Sequence, residues 1–356
     1  MAAPLSGLLA RRTPVEPLTV DTQRRRSSIR KNTTKKKKEI RHLEDDVKIF
    51  DLYTWDEVLQ EEGDGGKVVI CQAKANLDGP KYVMKIRTKA SLRAQNYERT
   101  FRKLQERMLN FPPHAGVIPL HEVLENKDYY YVVMEKASGG PFLISLVSEF
   151  SDGFMPGRVI KKLMMQILEA VAHVHSQGML HRDIKPDNLV MQYYDDPKSP
   201  TGKDNKVMLI DFDHADPEFS PVSPRVRDFS TVYGTLRFNA PETFLGHFSQ
   251  ESDLYSVGVI LYMLMTGKMP YDDEIFFSDV EFSPKNGLRG KHADWKGLIH
   301  NRMAVARIDW QCSPWPDQPI CRQFCEGLLE FDAKNRFSQA EDALKHPWFS
   351  EALDAV

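Results

Sequence analysis

The stretch His181-Arg182-Asp183-Ile184-Lys185-Pro186-Asp187-Asn188 contains four side chains that can work together on a phosphate group. The Asp183 carboxylate can accept a proton from a hydroxyl, and the Lys185 ammonium can lie against a phosphate. The Asn188 amide oxygen can bind a metal ion, whereas the Arg182 guanidinium can bind a phosphorylated loop. This combination predicts a site for phosphoryl-group chemistry.

Two more short motifs follow this stretch. Asp211-Phe212 comes first and Ala240-Pro241-Glu242 second, in the order and spacing of the protein-kinase signature set. Residues 49–349 resemble the eukaryotic Ser/Thr protein kinases, most of all the calcium/calmodulin-dependent and calcium-dependent group. The resemblance implies an α+β, bilobal protein-kinase-like fold. Its N-lobe has an antiparallel sheet plus one helix, and its C-lobe is mainly helical.

Composition is consistent with one two-lobed domain. With 356 residues, 41% hydrophobic and 28% charged, the chain can bury a large core. We predict a basic disordered tail over residues 1–48, an N-lobe over 49–136, a C-lobe over 137–349 and a short C-terminal extension over 350–356. The four cysteines show no CxxC spacing, which predicts reduced thiols and a cytoplasmic protein, with a nuclear location as the alternative.

The longest apolar run, residues 254–265, is too short for a transmembrane segment and predicts a buried helix instead. Periodicity predicts further elements in the N-lobe. An apolar face at Tyr97, Phe101, Leu104 and Met108 predicts one helix. Four strands are predicted over residues 67–71, 81–86, 117–124 and 129–134.

The tail carries most of the positive charge. Residues 1–42 contain twelve lysines and arginines against three acids, a net charge of +9, whereas the rest of the chain carries −11. Three interpretations of the tail remain open: a solvated arm, a nuclear-import or anionic-surface patch, and an organelle transit peptide. No specific nucleic acid is expected as a partner. Ser28 follows a basic run and is a candidate phosphorylation site.

The kinase resemblance implies ATP and Mg²⁺ as cofactors and proteins as substrates. It implies that Lys85 pairs with the α- and β-phosphates, that Asp211 and Asn188 hold Mg²⁺, and that Asp183 acts as catalytic base. Lys185 implies Ser/Thr specificity. The remaining nucleotide-binding candidates are in the glycine-rich loop and the hinge between the lobes: Gly63, Gly65, Gly66, Val68, Met134, Glu135 and Ala137.

Three positions depart from the kinase pattern. Glu61 replaces the first glycine of the loop, where its carboxylate is expected to repel phosphates. Gln105 stands where a helix glutamate normally pairs with the lysine, and Glu98 is a candidate substitute. Asp213 replaces the glycine of the DFG motif, and its charge either recruits a cation or perturbs the metal site.

These departures leave two functional hypotheses. An active Ser/Thr kinase is favoured because Lys85, Asp183, Asn188 and Asp211 are all retained. The alternative is a pseudokinase that acts as a nucleotide-binding or allosteric scaffold.

The kinase resemblance places the activation segment over residues 211–242 and predicts that this segment regulates the protein. Arg182 lies beside Asp183, and an otherwise unpaired arginine there calls for a phosphate. Ser223, Ser230 and Thr231 are the candidate acceptors, of which Ser230 and Thr231 are favoured, and a regulatory protein partner is a further expectation. The sequence contains no DxDxDG loop, which predicts that the chain does not sense calcium directly.

Overall fold

The computed structural model describes residues 37–61, 65–150, 155–195, 203–220, 234–278, 280–283, 287–290 and 294–350. The chain divides into residues 1–37 and 38–356, and the described helices and strands lie in the second unit. Within the described ranges, no helix is long and apolar enough to cross a lipid bilayer.

A six-stranded sheet forms the N-lobe. Its strands are β1 (Arg41–His42), β2 (Tyr53–Glu61), β3 (Lys67–Ala73), β4 (Tyr82–Thr88), β5 (Leu120–Glu125) and β6 (Tyr129–Glu135). The spatial order is β1-β5-β6-β4-β3-β2, so β4 lies between β3 and β6. Along β4, Met84 and Ile86 are buried on one face, whereas Lys85 and Arg87 alternate onto the other. The strand therefore presents two cations on the same face of the sheet.

The folded unit begins ahead of the predicted boundary at residue 49. Strand β1 pairs in parallel with β5, and Ile40 and Leu43 beside it are buried. The boundary predicted at residue 48 is therefore wrong, because residues 38–48 pair with the sheet and bury apolar side chains on it. The parallel β1 also corrects the expectation of an entirely antiparallel sheet. The other five strands pair antiparallel, as predicted.

Three helices accompany the sheet, where the sequence predicts one. They are α1 (Ile49–Leu52), α2 (Lys89–Ala94) and α3 (Glu98–Leu109). The predicted helix is α3, whose buried residues include Phe101, Leu104, Met108 and also Gln105. The other two span less than two turns each, which is too short for an apolar period to reveal them.

Helices form most of the C-lobe. They are α4 (Phe142–Glu149), α5 (Gly157–Ser176), α6 (Gln250–Thr266), α7 (Asp273–Phe277), α8 (Trp295–Val305), α9 (Pro319–Leu329), α10 (Ala340–Ala343) and α11 (Pro347–Ser350). Helix α6 contains the predicted apolar run and is buried from Ser252 to Tyr262. It packs between α5 and α9, which places it at the centre of the lobe.

Short strands complete the described part of the C-lobe. Strands β7 (Gly140–Pro141), β8 (Leu189–Asp195) and β9 (Lys203–Leu209) form one sheet, and β10 (Val280–Ser283) pairs with β11 (Gly287–Gly290). At the far end of this hairpin, Tyr194 and Asp195 of β8 pair with Asp204 and Lys203 of β9. The Asp, Lys, Pro and Gly content of residues 194–206 favours a surface loop, but strand pairing depends on the partner strand as much as on local propensity.

Candidate active site

The loop that carries Asp183 is held by Asp253 of α6, which is 1% exposed. The Asp253 carboxylate accepts hydrogen bonds from the backbone N–H groups of His181 and Arg182, both at 2.9 Å. Nε2 of His175 lies 2.9 Å from the same carboxylate. Burial alone would raise the pKa of Asp253, but the hydrogen bond and charge of His175, with the N–H groups, lower it. An ionised, buried carboxylate therefore fixes the backbone of the loop.

The Asp183 carboxylate is itself held by three side chains. Asn188 Nδ2 donates to Oδ2 at 2.8 Å, and the Thr235 hydroxyl donates to Oδ1 at 3.0 Å. Lys185 Nζ lies 3.2 Å from Oδ2 and donates to the Thr235 hydroxyl at 2.7 Å. Asp183 is 7% exposed, so these neighbours set the direction of its carboxylate. Sequence reasoning missed Thr235, although it lies in the segment before Ala240.

A glycine brings Thr235 to this position. Gly234 has a φ of +81°, a conformation that side chains rarely adopt. A Cβ at this position would lie 2.5 Å from the carbonyl oxygen of Arg182 and 2.6 Å from Oδ1 of Asn239. Only glycine therefore lets this end of the activation segment approach the catalytic loop so closely.

Lys85 and Asp211 face each other across the two lobes. Nζ of Lys85 lies 2.9 Å from Oδ1 of Asp211, which sits in a left-handed conformation with φ 58°. Phe212 is buried against the ring of His181, with 4.7 Å between ring centroids, and this packing keeps Asp211 turned toward β4. Burial would raise the pKa of Asp211, but the charge and hydrogen bond of Lys85, together with His214 and the backbone N–H of Asp213, lower it to about 2.

Asp213 contacts the same lysine. Its Oδ2 lies 2.8 Å from Lys85 Nζ and 3.5 Å from a guanidinium nitrogen of Arg87. Burial alone would lower the pKa of Lys85, but the charges of Asp213 and Asp211 raise it. The Asp213 carboxylate therefore lies beside two cationic side chains, those of Lys85 and Arg87.

Gln105 lies in the same region. It is 4% exposed on the inward face of α3. It lines a cavity between the lobes together with Lys85, Met108, Ile118, Leu120, Val132, Met134, Asp211, Phe212 and Asp213. Glu98, the candidate substitute, instead pairs with Arg93 at 2.6 Å. The acid at the start of α3 is therefore engaged elsewhere.

The other nucleotide-binding candidates surround this cavity or lie outside the described residues. Val68 of β3 is opposite Lys85 in the sheet register, Glu135 is exposed at the end of β6, and Ala137 is buried just beyond it. Gly65 is exposed with a φ of +88°, whereas Gly66 is buried. Gly63 falls outside the described residues. The carboxylate of Glu61 lies 3.3 Å from Nζ of Lys67, which offsets the charge expected to repel phosphates.

Arg182 already has partners. Its guanidinium donates to the carbonyl oxygens of His214 at 2.6 Å and Ala215 at 3.2 Å, and it lies 5.4 Å from the centre of the Phe248 ring. The premise that this arginine is unpaired is therefore wrong, because backbone carbonyls satisfy it inside the C-lobe. Ser28, Ser223, Ser230 and Thr231 lie outside the described residues.

The donor atoms at this site fit magnesium. Asn188 uses its amide nitrogen to bond Asp183, so its amide oxygen is the atom that would bind a cation. Asp211 contacts Lys85 through Oδ1, which leaves Oδ2 on a side chain that is 35% exposed. Mg²⁺ prefers oxygen ligands and usually takes one or two carboxylates plus phosphate oxygens. No group of three or more His, Cys, Asp or Glu side chains in the described part of the chain is arranged to hold a metal without such phosphates.

Known proteins similar to this chain include three kinases. CDPK-related kinase 4 of Arabidopsis thaliana is 27% identical over 299 residues, which cover 83% of this chain and 44% of the relative. Calcium-dependent protein kinase 9 of the same plant is 27% identical over 326 residues, or 91% and 53%. Serine/threonine-protein kinase cds1 of Schizosaccharomyces pombe is 26% identical over 303 residues, or 82% and 58%. The chain spans about half the length of the curated relatives it matches.

The family match covers most of the chain. Residues 57–349 match the family described as the protein kinase domain. This range contains most of both lobes, the Lys85–Asp211 pair and the Asp183 loop. The chain belongs to the protein kinase family.

Proposed function

We propose that this chain is an active kinase that transfers the γ-phosphoryl group of ATP to serine or threonine hydroxyls of protein substrates. The observation that carries the proposal is the orientation of the Asp183 carboxylate. Asn188 and Thr235 each donate a hydrogen bond to it, and Lys185 lies 3.2 Å away. A negatively charged carboxylate held in this way can accept the proton of an incoming hydroxyl.

Other residues would handle the nucleotide. Lys85 would pair with the α- and β-phosphates, and Asp211 and Asn188 would hold Mg²⁺, which neutralises charge on the phosphate oxygens when it is bound. Phosphoryl transfer needs little covalent work from the protein, so these residues act by positioning and by charge. Met134, Glu135 and Ala137 would contact the adenine.

Lys185 and Thr235 would orient the acceptor. Lys185 would lie against the γ-phosphate, since its ammonium is already beside the Asp183 carboxylate. Residues 234–242 at the end of the activation segment would dock the peptide. The hydroxyl of Thr235 connects them to the Asp183 carboxylate through a hydrogen bond. Because one network holds the base and the peptide-docking segment, a bound hydroxyl would reach Asp183 in a defined direction.

A nucleotide-binding scaffold is the second candidate, and Gln105 is the residue that favours it. A neutral side chain at this position cannot form the charge pair that usually holds the lysine. The structure nonetheless pairs Lys85 with two carboxylates. The active kinase is therefore the better-supported function.

Radiolabelled ATP with magnesium and a generic basic peptide tests the proposal. We expect Asp183→Asn to lower phosphate incorporation by roughly 10²- to 10⁴-fold, the range contributed by general-base groups. Asp317→Asn, an exposed change outside the site, is the matched control and should match the wild type. If calorimetry detects ATP binding but neither the wild type nor either variant transfers phosphate to the peptide, the scaffold function would be favoured. Equal incorporation from Asp183→Asn and the wild type would assign the activity to a contaminant.

A further inference from the structure

We propose that Asp213 positions Lys85. It would thereby take the role of the helix glutamate, whose place in α3 is occupied by Gln105. The role rests on the proposed kinase function, because Lys85 is there the residue that orients ATP. Helix α3 has Gln105 where the kinase pattern has a glutamate, and Asp213 stands where the pattern has a glycine. The two departures from the kinase pattern therefore form one compensated change.

The contact distances place Asp213 at the lysine. Its carboxylate lies 2.8 Å from Lys85 Nζ, as close as Asp211 at 2.9 Å. The side chains of Lys85 and Asp213 are only 12% and 16% exposed. A close, largely buried ion pair is screened much less by water and salt than one on the surface.

Helix α3 offers no acid of its own to this lysine. Gln105, on its buried face, lines the same cavity as Lys85 and is neutral. Glu98 pairs with Arg93 at 2.6 Å, and Glu106 pairs with Arg102 at 3.2 Å on an exposed face. The charge that holds Lys85 therefore comes from residues 211–213 rather than from the helix.

The charges in this cluster balance. Lys85 and Arg87 supply two positive charges, and Asp211 and Asp213 supply two negative ones. A carboxylate at position 105 would add a third negative charge to a cavity that already holds these groups. Uncompensated charge in a buried site is costly, so a neutral glutamine suits this arrangement.

Asp213 is also tied in place through its backbone. The Tyr97 hydroxyl, at the start of α3, donates to the carbonyl oxygen of Asp213. Arg182 donates to the carbonyl oxygen of the next residue, His214, at 2.6 Å. The position of Lys85 therefore depends on the conformation of residues 211–214, to which both lobes bond, rather than on an acid carried by α3.

A set of variants tests the exchange: Asp213→Asn, Asp213→Gly, Gln105→Glu and the double variant Gln105→Glu/Asp213→Gly. The first readout is acetylation of Lys85 by an N-hydroxysuccinimide ester in nucleotide-free protein, followed by mass spectrometry. Loss of Asp213 should increase the labelling rate about tenfold, because Nζ of Lys85 then loses the charged partner at 2.8 Å that holds it in the cavity and becomes more accessible to the reagent. Thermal unfolding of each variant checks that it is folded.

The second readout is the affinity for ATP, measured as Kd by calorimetry and as KM by kinetics. We expect Asp213→Gly to raise the Kd for ATP and the KM for ATP about tenfold, with a smaller change in kcat. The double variant should recover both to within about threefold of the wild type, because the carboxylate introduced by Gln105→Glu then supplies the missing charge. Glu98→Gln is the matched control and should change neither labelling nor affinity, since Glu98 pairs with Arg93.

Unchanged labelling and ATP affinity in Asp213→Gly would overturn the proposal, and so would a double variant that recovers neither. The proposed function fails separately, if the wild type transfers no phosphate. The labelling and calorimetry arms still decide the role of Asp213 in that case, because neither requires catalysis.

Discussion

The hydroxyl of Thr235 donates to Oδ1 of Asp183 at 3.0 Å and accepts from Nζ of Lys185 at 2.7 Å. Fifty-two residues separate Thr235 from Asp183. The contact therefore joins the end of the activation segment to the catalytic loop. It makes the orientation of the carboxylate depend on a segment that the sequence alone does not place beside it.

Replacing Thr235 should impair transfer without preventing ATP binding. Thr235→Ala removes one hydrogen bond from Asp183 and one acceptor from Lys185, and we expect kcat/KM for a peptide to fall by up to about a hundredfold. Thr235→Ser retains the hydroxyl and should keep most of the activity. Thr266→Ala, at the far end of α6, is the control. A Thr235→Ala protein as active as the wild type would contradict the coupling.

The buried pair between Glu242 and Arg336 should dominate the stability of the C-lobe. Arg336 donates to both carboxylate oxygens of Glu242, at 2.6 and 2.8 Å, and its side chain is 0% exposed. Arg336→Met leaves Glu242 without this partner and should lower the free energy of unfolding by about 3–5 kcal/mol, measured with denaturant. Lys345→Ala, which breaks an exposed pair, should leave the midpoint unchanged. Equal denaturation midpoints for Arg336→Met and the wild type would show that the Glu242–Arg336 pair does not stabilise the C-lobe.

Stability should depend on pH through Asp211. Its pKa is lowered to about 2, since the charge and hydrogen bond of Lys85 and the other neighbours together outweigh burial. A pKa lower in the folded than in the unfolded chain stabilises the fold above about pH 4, and this contribution is lost as the pH falls toward 2. The carboxylate is 35% exposed, so screening leaves about 1 kcal/mol. The advantage of the wild type over Asp211→Asn should shrink between about pH 6 and about pH 3. An advantage that grows as the pH falls would be the wrong sign.

The cysteines should differ sharply in reactivity. Cys71, Cys321 and Cys325 are buried, and burial raises the pKa of Cys71 to about 12. Cys312 is partly exposed. Because the thiolate is the reactive form, we expect a chromogenic disulfide reagent at about pH 8 to titrate one thiol in the native chain and all four in denaturant. Cys312→Ser should remove the native reaction, and rapid reaction of a second thiol would contradict the burial.

Apolar patterns predicted the long helices and failed at the short helices and at several strands. Helix α3 and the buried α6 follow from apolar spacing and from a continuous apolar run, both of which are local properties. Strands β1 and β2 and the short helices α1 and α2 were not predicted. The two helices are too short to show an apolar period, and β2 is exposed over most of its length. Strand β1 pairs with β5, which lies far along the chain, so its local sequence does not reveal the pairing.

The sequence by itself determined which chemical groups this protein carries and in what order, because side-chain chemistry and motif spacing are written along the chain. Asp183, Lys185 and Asn188 lie within one short loop, so their proximity follows from the sequence. Only the tertiary structure decided which carboxylates hold Lys85. Asp211 is 126 residues from Lys85 in sequence, and the ion pairs of Lys85 with Asp211 and Asp213 depend on how β4 of the N-lobe meets the segment after β9. Coulomb energy depends on distance in space, and folding sets that distance.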